Sequence, residues 1–251
     1  MKKIKLFTGM ILALMCLSFN GCGATSGNEG DTITQFMLAK YEYGSDCFLD
    51  INGTKMIPAT PSILYTLSET GLYQFTVAYD PSTISNGQVT VTMNSTPASI
   101  MNIYGVISEA DYPNDENIPL YAINYVPRGL APFMFDKDYL VVPVSYQSIS
   151  TVNEGDIATE LAKHRFVLIL EPYAAGDDTL TFRLTDKVTD PDTERNFALY
   201  AYQAFDLRYV IANFKAQGNS LKKIVVKGMI SEGSNDLEDA KEETYSFDYK
   251  F

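Results

Sequence analysis

The chain has 251 residues, 46% of them hydrophobic and 20% charged, with a formal net charge of −12. So acidic a surface repels nucleic acid and anionic headgroups, which excludes both as partners of the folded part. One histidine and no tryptophan leave no histidine pair for a His-rich metal site and weaken a tryptophan-type sugar platform.

The N-terminus reads as an export address. Lys2, Lys3 and Lys5 form a basic start, and Leu6 to Phe19 is almost wholly apolar. About fourteen residues are too few to span a bilayer but suit the core of a signal peptide. Phe19-Asn20-Gly21-Cys22 follows. A small residue before a cysteine, just past the apolar core, resembles the bacterial lipobox, with Phe19 in place of the usual leucine. Cys16 competes, but Met15 before it is too bulky for that processing. The resemblance implies that residues 1–21 are a signal peptide and that Cys22 takes up diacylglycerol, becoming the anchored N-terminus. The expected address is the cell envelope, on an outer-membrane-anchored lipoprotein whose membrane partner is its own lipid. Residues 22–30 are small, polar and glycine-rich, a flexible tether. With Cys16 removed and Cys22 lipidated, Cys47 is left alone, so no intramolecular disulfide is expected. Cys47 itself, in the apolar run Cys47-Phe48-Leu49, reads as a small buried hydrophobe. The remaining chain, about 230 residues, suffices for one large domain or two smaller ones. Loss of the three signal lysines takes its net charge from −12 to −15.

Beyond the tether, short period-two segments dominate. Asn52-Gly53 separates Cys47–Ile51 from Lys55–Pro58 and predicts a hairpin. Tyr73, Phe75, Val77 and Tyr79 share one face of the next segment. Asn86-Gly87 precedes Val89, Val91 and Met93, which alternate with Thr90 and Thr92. Pro143 inside Tyr139–Tyr146 predicts an edge strand or a bulge there. Leu180, Phe182 and Leu184 alternate, as do Phe197, Leu199, Ala201, Phe205 and Leu207. Tyr245, Phe247, Tyr249 and Phe251 face one way at the end and predict a paired strand, since an exposed row of aromatics would aggregate. Ile157–His164 and Arg208–Gln217 suit short helices, the second ending at Gly218. Ser108–Asn117 is acidic and contains a proline, so a boundary is placed there. It separates a small β-domain over 31–110 from a larger β-sandwich over 111–251. The expected class is all-β with few short helices.

The order of these segments is familiar. Asp50-Ile51-Asn52-Gly53-Thr54-Lys55 ending in Ile57-Pro58, then Gln74-Phe75-Thr76-Val77-Ala78-Tyr79, resembles the N-terminal barrel of the NigD-like lipoproteins of Bacteroides-type bacteria. Asp138–Val142, His164–Leu168, Leu180–Leu184 and Tyr202–Leu207 are similar to that family's sandwich strands. The resemblance implies an OB-like barrel followed by a β-sandwich. The family takes its name from a bacteriocin-associated operon, and it supplies no catalytic residues to carry over.

Candidate chemistry is sparse. His164, beside Lys163 and Arg165, reads as a surface residue at a strand start rather than a general base. No G-x-S-x-G, H-E-x-x-H or P-loop occurs. Asp186, Asp190, Asp192 and Glu194 lie on a segment read as a solvated hairpin loop. They lack EF-hand spacing for calcium and are the only nominees for a carboxylate pair that cleaves a glycoside. Tyr200 and Tyr202, opposite the apolar face of their strand, are candidate ligand contacts for sugar or protein. Thr32 and Thr179, each between an aspartate and an apolar residue, are candidate O-glycosylation positions. No catalytic residue, metal site or cofactor is expected, and the oligomeric state stays open. The functional expectation is a non-enzymatic envelope lipoprotein, a scaffold binding a protein or glycan. A bacteriocin immunity or accessory factor and a carboxylate-dependent polysaccharide hydrolase stand as alternatives.

Overall fold

Period-two alternation turns most of the chain into strands, which the computed structural model describes over residues 32–124, 130–149, 157–195 and 197–251. The signal segment, Cys22 and the tether lie outside the described residues. The chain divides into two compact units, Met1–Ile100 and Met101–Phe251.

The first unit holds β1 (Ile33–Tyr41), β2 (Phe48–Leu49), β3 (Lys55–Pro58), β4 (Gly71–Tyr79), β5 (Gln88–Met93) and β6 (Ala98–Ser99). Its strand order is β1-β2-β3-β5-β4, closed by β1 against β4, with β6 also on β4. β1 and β4 pair antiparallel over their whole length, from Ile33 opposite Tyr79 to Tyr41 opposite Gly71. β3 and β5 run parallel, and the other pairings are antiparallel. A closed five-stranded barrel in this order is the OB topology expected. The asparagine–glycine turns set its registers. Asp50 Oδ1 accepts the N–H groups of Asn52 (2.8 Å) and Thr54 (2.7 Å), and Gly53 supplies φ +79°. Asn86 and Gly87 both have positive φ between Ser85 and Gln88, whose N–H and C=O groups bond reciprocally at 3.0 Å. That is the turn which matches strand twist. Phe48 packs on Phe75 with ring centroids 4.6 Å apart, and Tyr41, Met56, Val77 and Val91 complete the interior. Cys47 is buried and free, and burial pushes its thiol up, away from thiolate character.

The second unit contains β7 (Val106–Ser108), β8 (Phe133–Met134), β9 (Tyr139–Ser148), α1 (Ile157–Leu161), β10 (His164–Leu170) and β11 (Thr179–Val188). β12 (Phe197–Asp206), α2 (Arg208–Ala216), β13 (Lys223–Ile230) and β14 (Lys241–Asp248) complete it. One sheet runs β14-β13-β11-β10-β7 and the other β12-β9-β8. Between them lies one apolar core. Leu140, Val142, Val144 and Phe205 come from one sheet, and Phe166, Leu168, Phe182, Leu184, Ile224 and Val226 from the other. α2 adds Val210, Ile211 and Phe214 and stops before Gly218, whose φ is +84°. β14 pairs along all of β13 but ends at Asp248, so the predicted aromatic strand is paired only in part: Tyr249 is buried and its N–H donates to Lys222 O at 2.8 Å, while Phe251 is exposed.

Two expectations change here. The unit boundary falls ten residues before 110, because Val106–Ser108 is a strand of the second unit, parallel to Leu168–Leu170. The acidic segment after it is a loop of that unit, tied down by Asn117, whose side chain bonds Val188 O (2.9 Å) and Val188 N (2.8 Å). β9 is a central strand, not an edge, and all ten of its residues are buried. Pro143 is accommodated because β8 pairs only with Leu140 and Val141, while Ala122 bridges Ser145 further on. By strand alternation Pro143 faces the same side as Ser145, into the interval between those partners. No ladder hydrogen bond is asked of it by the described residues.

Candidate functional site

Two places in the second unit concentrate chemistry, one closed and one open. The closed one sits where α1 leads into β10. Glu160, Lys163 and His164 follow one another around that junction, β11 brings Asp186, and the β11–β12 connection brings Asp190 and Arg195. His164 Nδ1 lies 2.7 Å from Asp186 Oδ2. Arg195 Nε donates to Glu160 Oε1 at 3.0 Å, and its other nitrogens hold Asp190 Oδ1, Asp190 O and Thr193 O. Lys163 Nζ bridges Glu160 (2.9 Å) and Asp190 (3.1 Å). Tyr146, from the facing sheet, sets its ring 4.6 Å from the His164 ring, and the Phe166 ring lies nearly parallel to the imidazole at 5.8 Å.

Burial governs this cluster. The side chains of His164, Asp186 and Arg195 have no accessible surface, and Glu160 keeps 2%. Burial pushes the Asp186 carboxyl up against the pull of its His164 bond, and it pushes the Tyr146 phenol up as well. Burial also acts to raise Glu160, but Lys163 and Arg195 outweigh it and hold that carboxylate low. Nearby Glu116, 3.9 Å from Arg183, is raised by burial to about 7. An aspartate–histidine pair can serve as a base only if the second ring nitrogen reaches a reacting group. Here His164 Nε2 is buried without a hydrogen-bond partner among the described residues, 3.9 Å from Glu160 Oε1. The arrangement ties α1, β10, β11 and a loop together.

His164 is therefore not the surface residue expected. Its neighbours Lys163 and Arg165 suggested exposure, but they point elsewhere while the imidazole turns inward to Asp186. The four acidic residues read as one solvated loop divide as well. Asp186 is sealed inside β11, Asp190 is half-buried against Arg195, and Asp192 and Glu194 are exposed. Among the described residues, no three histidine, cysteine or carboxylate groups gather as metal ligands do. Tyr200 and Tyr202 are half-buried on β12, opposite Ser145 and Pro143 of β9. Thr32 is exposed just before β1. Thr179 is half-buried at the start of β11, its hydroxyl donating to Asp178 Oδ1 at 3.0 Å.

The open place was not legible in the sequence. β7, the end of β10 and the start of α2 enclose an apolar groove of about 360 Å³, lined by Val106, Leu170, Tyr173, Tyr209, Val210 and Asp111 among others. Tyr209 is 78% exposed. Tyr173 stands edge-on to Phe214, centroids 4.9 Å apart, and its hydroxyl accepts from Gln217 Nε2 at 3.4 Å. Tyr173 also lines a polar pocket of about 450 Å³, together with Asp177, Asp178, Thr179 and Thr181. A turn shapes this pocket: Ala174 N donates to Asp177 Oδ2 (2.7 Å), and Gly176 N donates to Asn219 Oδ1 (2.6 Å) with φ +94° at Gly176. Tyr173 thus forms a wall shared by an apolar and a polar recess.

A closed OB-type barrel and a two-sheet sandwich in one chain define the structural class. Among solved structures, a candidate lipoprotein from Bacteroides fragilis NCTC 9343 matches with a TM-score of 0.75 and 25% identity, covering 86% of this chain and 98% of that one. A protein of unknown function, DUF1344, from Bacteroides vulgatus ATCC 8482 matches with TM-score 0.54 and 13% identity, over 88% and 92% of the two chains. A NigD-like immunity protein from Bacteroides caccae ATCC 43185 is also similar, with TM-score 0.48 and 15% identity, over 90% and 100%. The resemblance to Bacteroides lipoproteins read from the strands is met by the Bacteroides fragilis structure. No protein-family model and no curated protein matches the chain.

Proposed function

We propose that this chain is a non-catalytic envelope lipoprotein, held by lipid on Cys22, that binds a partner at the Tyr173–Tyr209 groove. One observation carries the reading. The ionisable groups best arranged for chemistry are sealed inside the sandwich, whereas the aromatic-lined recess opens to solvent. Exposed tyrosine beside a concave apolar surface is the usual composition of a contact region. The similar Bacteroides fragilis structure supports the lipoprotein part, as do the apolar N-terminal segment and Cys22. A hydrolase using Asp186 has no support, because that carboxylate is enclosed and bound to His164.

The test places a benzophenone-bearing amino acid at position 209 of the anchored protein and irradiates intact cells. A discrete cross-linked product from position 209, absent when the probe replaces exposed Phe251, is the expected result. Equal products from both positions, or none from 209, would remove the groove as the contact region.

A further inference from the structure

We infer that the groove takes an extended peptide segment carrying a basic side chain next to an apolar one, added along β7. The inference rests on the groove reading above and names its partner class. β7 is the edge of its sheet, bonded to β10 on one side. Among the described residues, no backbone hydrogen bond reaches its other side. An edge strand with free amide and carbonyl groups is a template for another extended chain. At about 3.3 Å per residue, its three residues accept roughly 10 Å of peptide. Val106, Leu170 and Tyr209 beside it provide the apolar recess that such binding uses for alternate side chains.

Charge selects the rest. No lysine or arginine lines either recess. Asp178 is met by Lys222 at 3.3 Å. Among the described residues, Asp111 accepts from Ser108 Oγ (2.5 Å) and Asp177 from Ala174 N (2.7 Å). Neither has a basic group in ion-pair range among the described residues. Two carboxylates without a cation among the described residues, Asp111 in the groove and Asp177 in the recess that shares Tyr173 with it, complement cationic side chains. The net charge of −12 draws the same ligand in from a distance. A neutral glycan has no main chain to add to β7 and brings no positive charge to meet the carboxylates.

The probe is a fluorescent six-residue peptide alternating valine and lysine, titrated by anisotropy into the full lipid-bearing protein in detergent. Its analogue with glutamate for lysine should bind at least tenfold more weakly. So should an analogue N-methylated at alternate residues, which loses the main-chain donors along one edge and keeps every side chain. The double variant Asp111→Asn, Asp177→Asn should lose about tenfold for the lysine peptide and most of the discrimination against the glutamate one. Both positions are exposed, and asparagine keeps the acceptor for Ala174 N, so folding is retained. Equal binding of the lysine and glutamate peptides, indifference to the double variant, or no peptide binding overturns the inference. If cross-links from position 209 persist in that case, the groove reading stands with another ligand class. If they vanish too, both fall.

Discussion

Glu160 and Arg195 show what a buried charge demands of its neighbours. Their side chains keep at most 2% exposure, with Nε and Oε1 3.0 Å apart. Removing one member of such a pair strands the other and typically costs about 3–5 kcal/mol. Lys163 remains 2.9 Å from Glu160 and softens the loss, so Arg195→Met should cost about 3 kcal/mol in urea unfolding, the lower end of that range. A cost under about 1 kcal/mol would mean that the cluster behaves as a surface pair. Glu116 gives a pH signature. Burial raises its carboxyl from 4.5 to about 7, so the folded chain keeps a proton that the unfolded chain has released. Its contribution is fully present below about 4.5 and is lost as pH rises through about 7, up to about 3 kcal/mol. Glu116→Gln should flatten stability over that window and exceed the wild type at pH 8. An unchanged slope between the two proteins would show that Glu116 titrates normally. None of these pairings was legible in the sequence. Glu160 and His164 are four residues apart, but Asp186 and Arg195 come from other elements, and only folding brings the four together.

At the scale of elements, legibility followed locality. Alternation at Leu180, Phe182 and Leu184 and the turns at Asn52-Gly53 and Asn86-Gly87 depend on neighbours in sequence, and the strands lie there. Pro143 misled because a proline's cost depends on which side its missing N–H faces, and that is set by where β8 stops and Ala122 begins. Gly228 carried no readable signal at all. It sits mid-strand in β13, where glycine has a weak propensity, and the crossing segment 118–123 explains it. A Cβ there would meet Leu184 O at 2.8 Å and Ile123 Cδ1 at 2.9 Å. Leu120 lies over the same spot and bonds beyond it, from its N–H to Met229 O at 2.9 Å. One of those contacts is backbone and cannot swing aside. Gly228→Ala should therefore cost about 1–3 kcal/mol, the range for overpacking a core. Gly233→Ala, with open space around the glycine, should stay near neutral. Thermal unfolding of the two variants checks the difference, and equal melting temperatures would contradict the close approach.

At the scale of the whole molecule, the sequence separated an address from a fold. The fold came from strand patterns, and a solved Bacteroides chain shares it over nearly its entire length. The groove escaped notice because β7, Tyr173 and α2 are far apart in sequence, so no local pattern joins them. The address rests on residues 1–22 alone, and it makes a prediction separate from the fold. If Cys22 is lipidated, the basic start and the apolar run Leu6–Phe19 are removed, and the acidic unit is left held by acyl chains. One chain binds a bilayer only marginally, whereas two or more hold it stably. The native protein should then enter the detergent phase on warming in Triton X-114. Its N-terminal peptide should start at Cys22 and carry the mass of diacylglycerol. Cys22→Ala should leave that phase, or keep residues 1–21, with urea unfolding of the folded part measured beside it as the control for folding. A water-phase native protein, or a lipid-free N-terminus elsewhere, would detach the chain from the membrane. The binding groove would then have to be sought on a soluble protein.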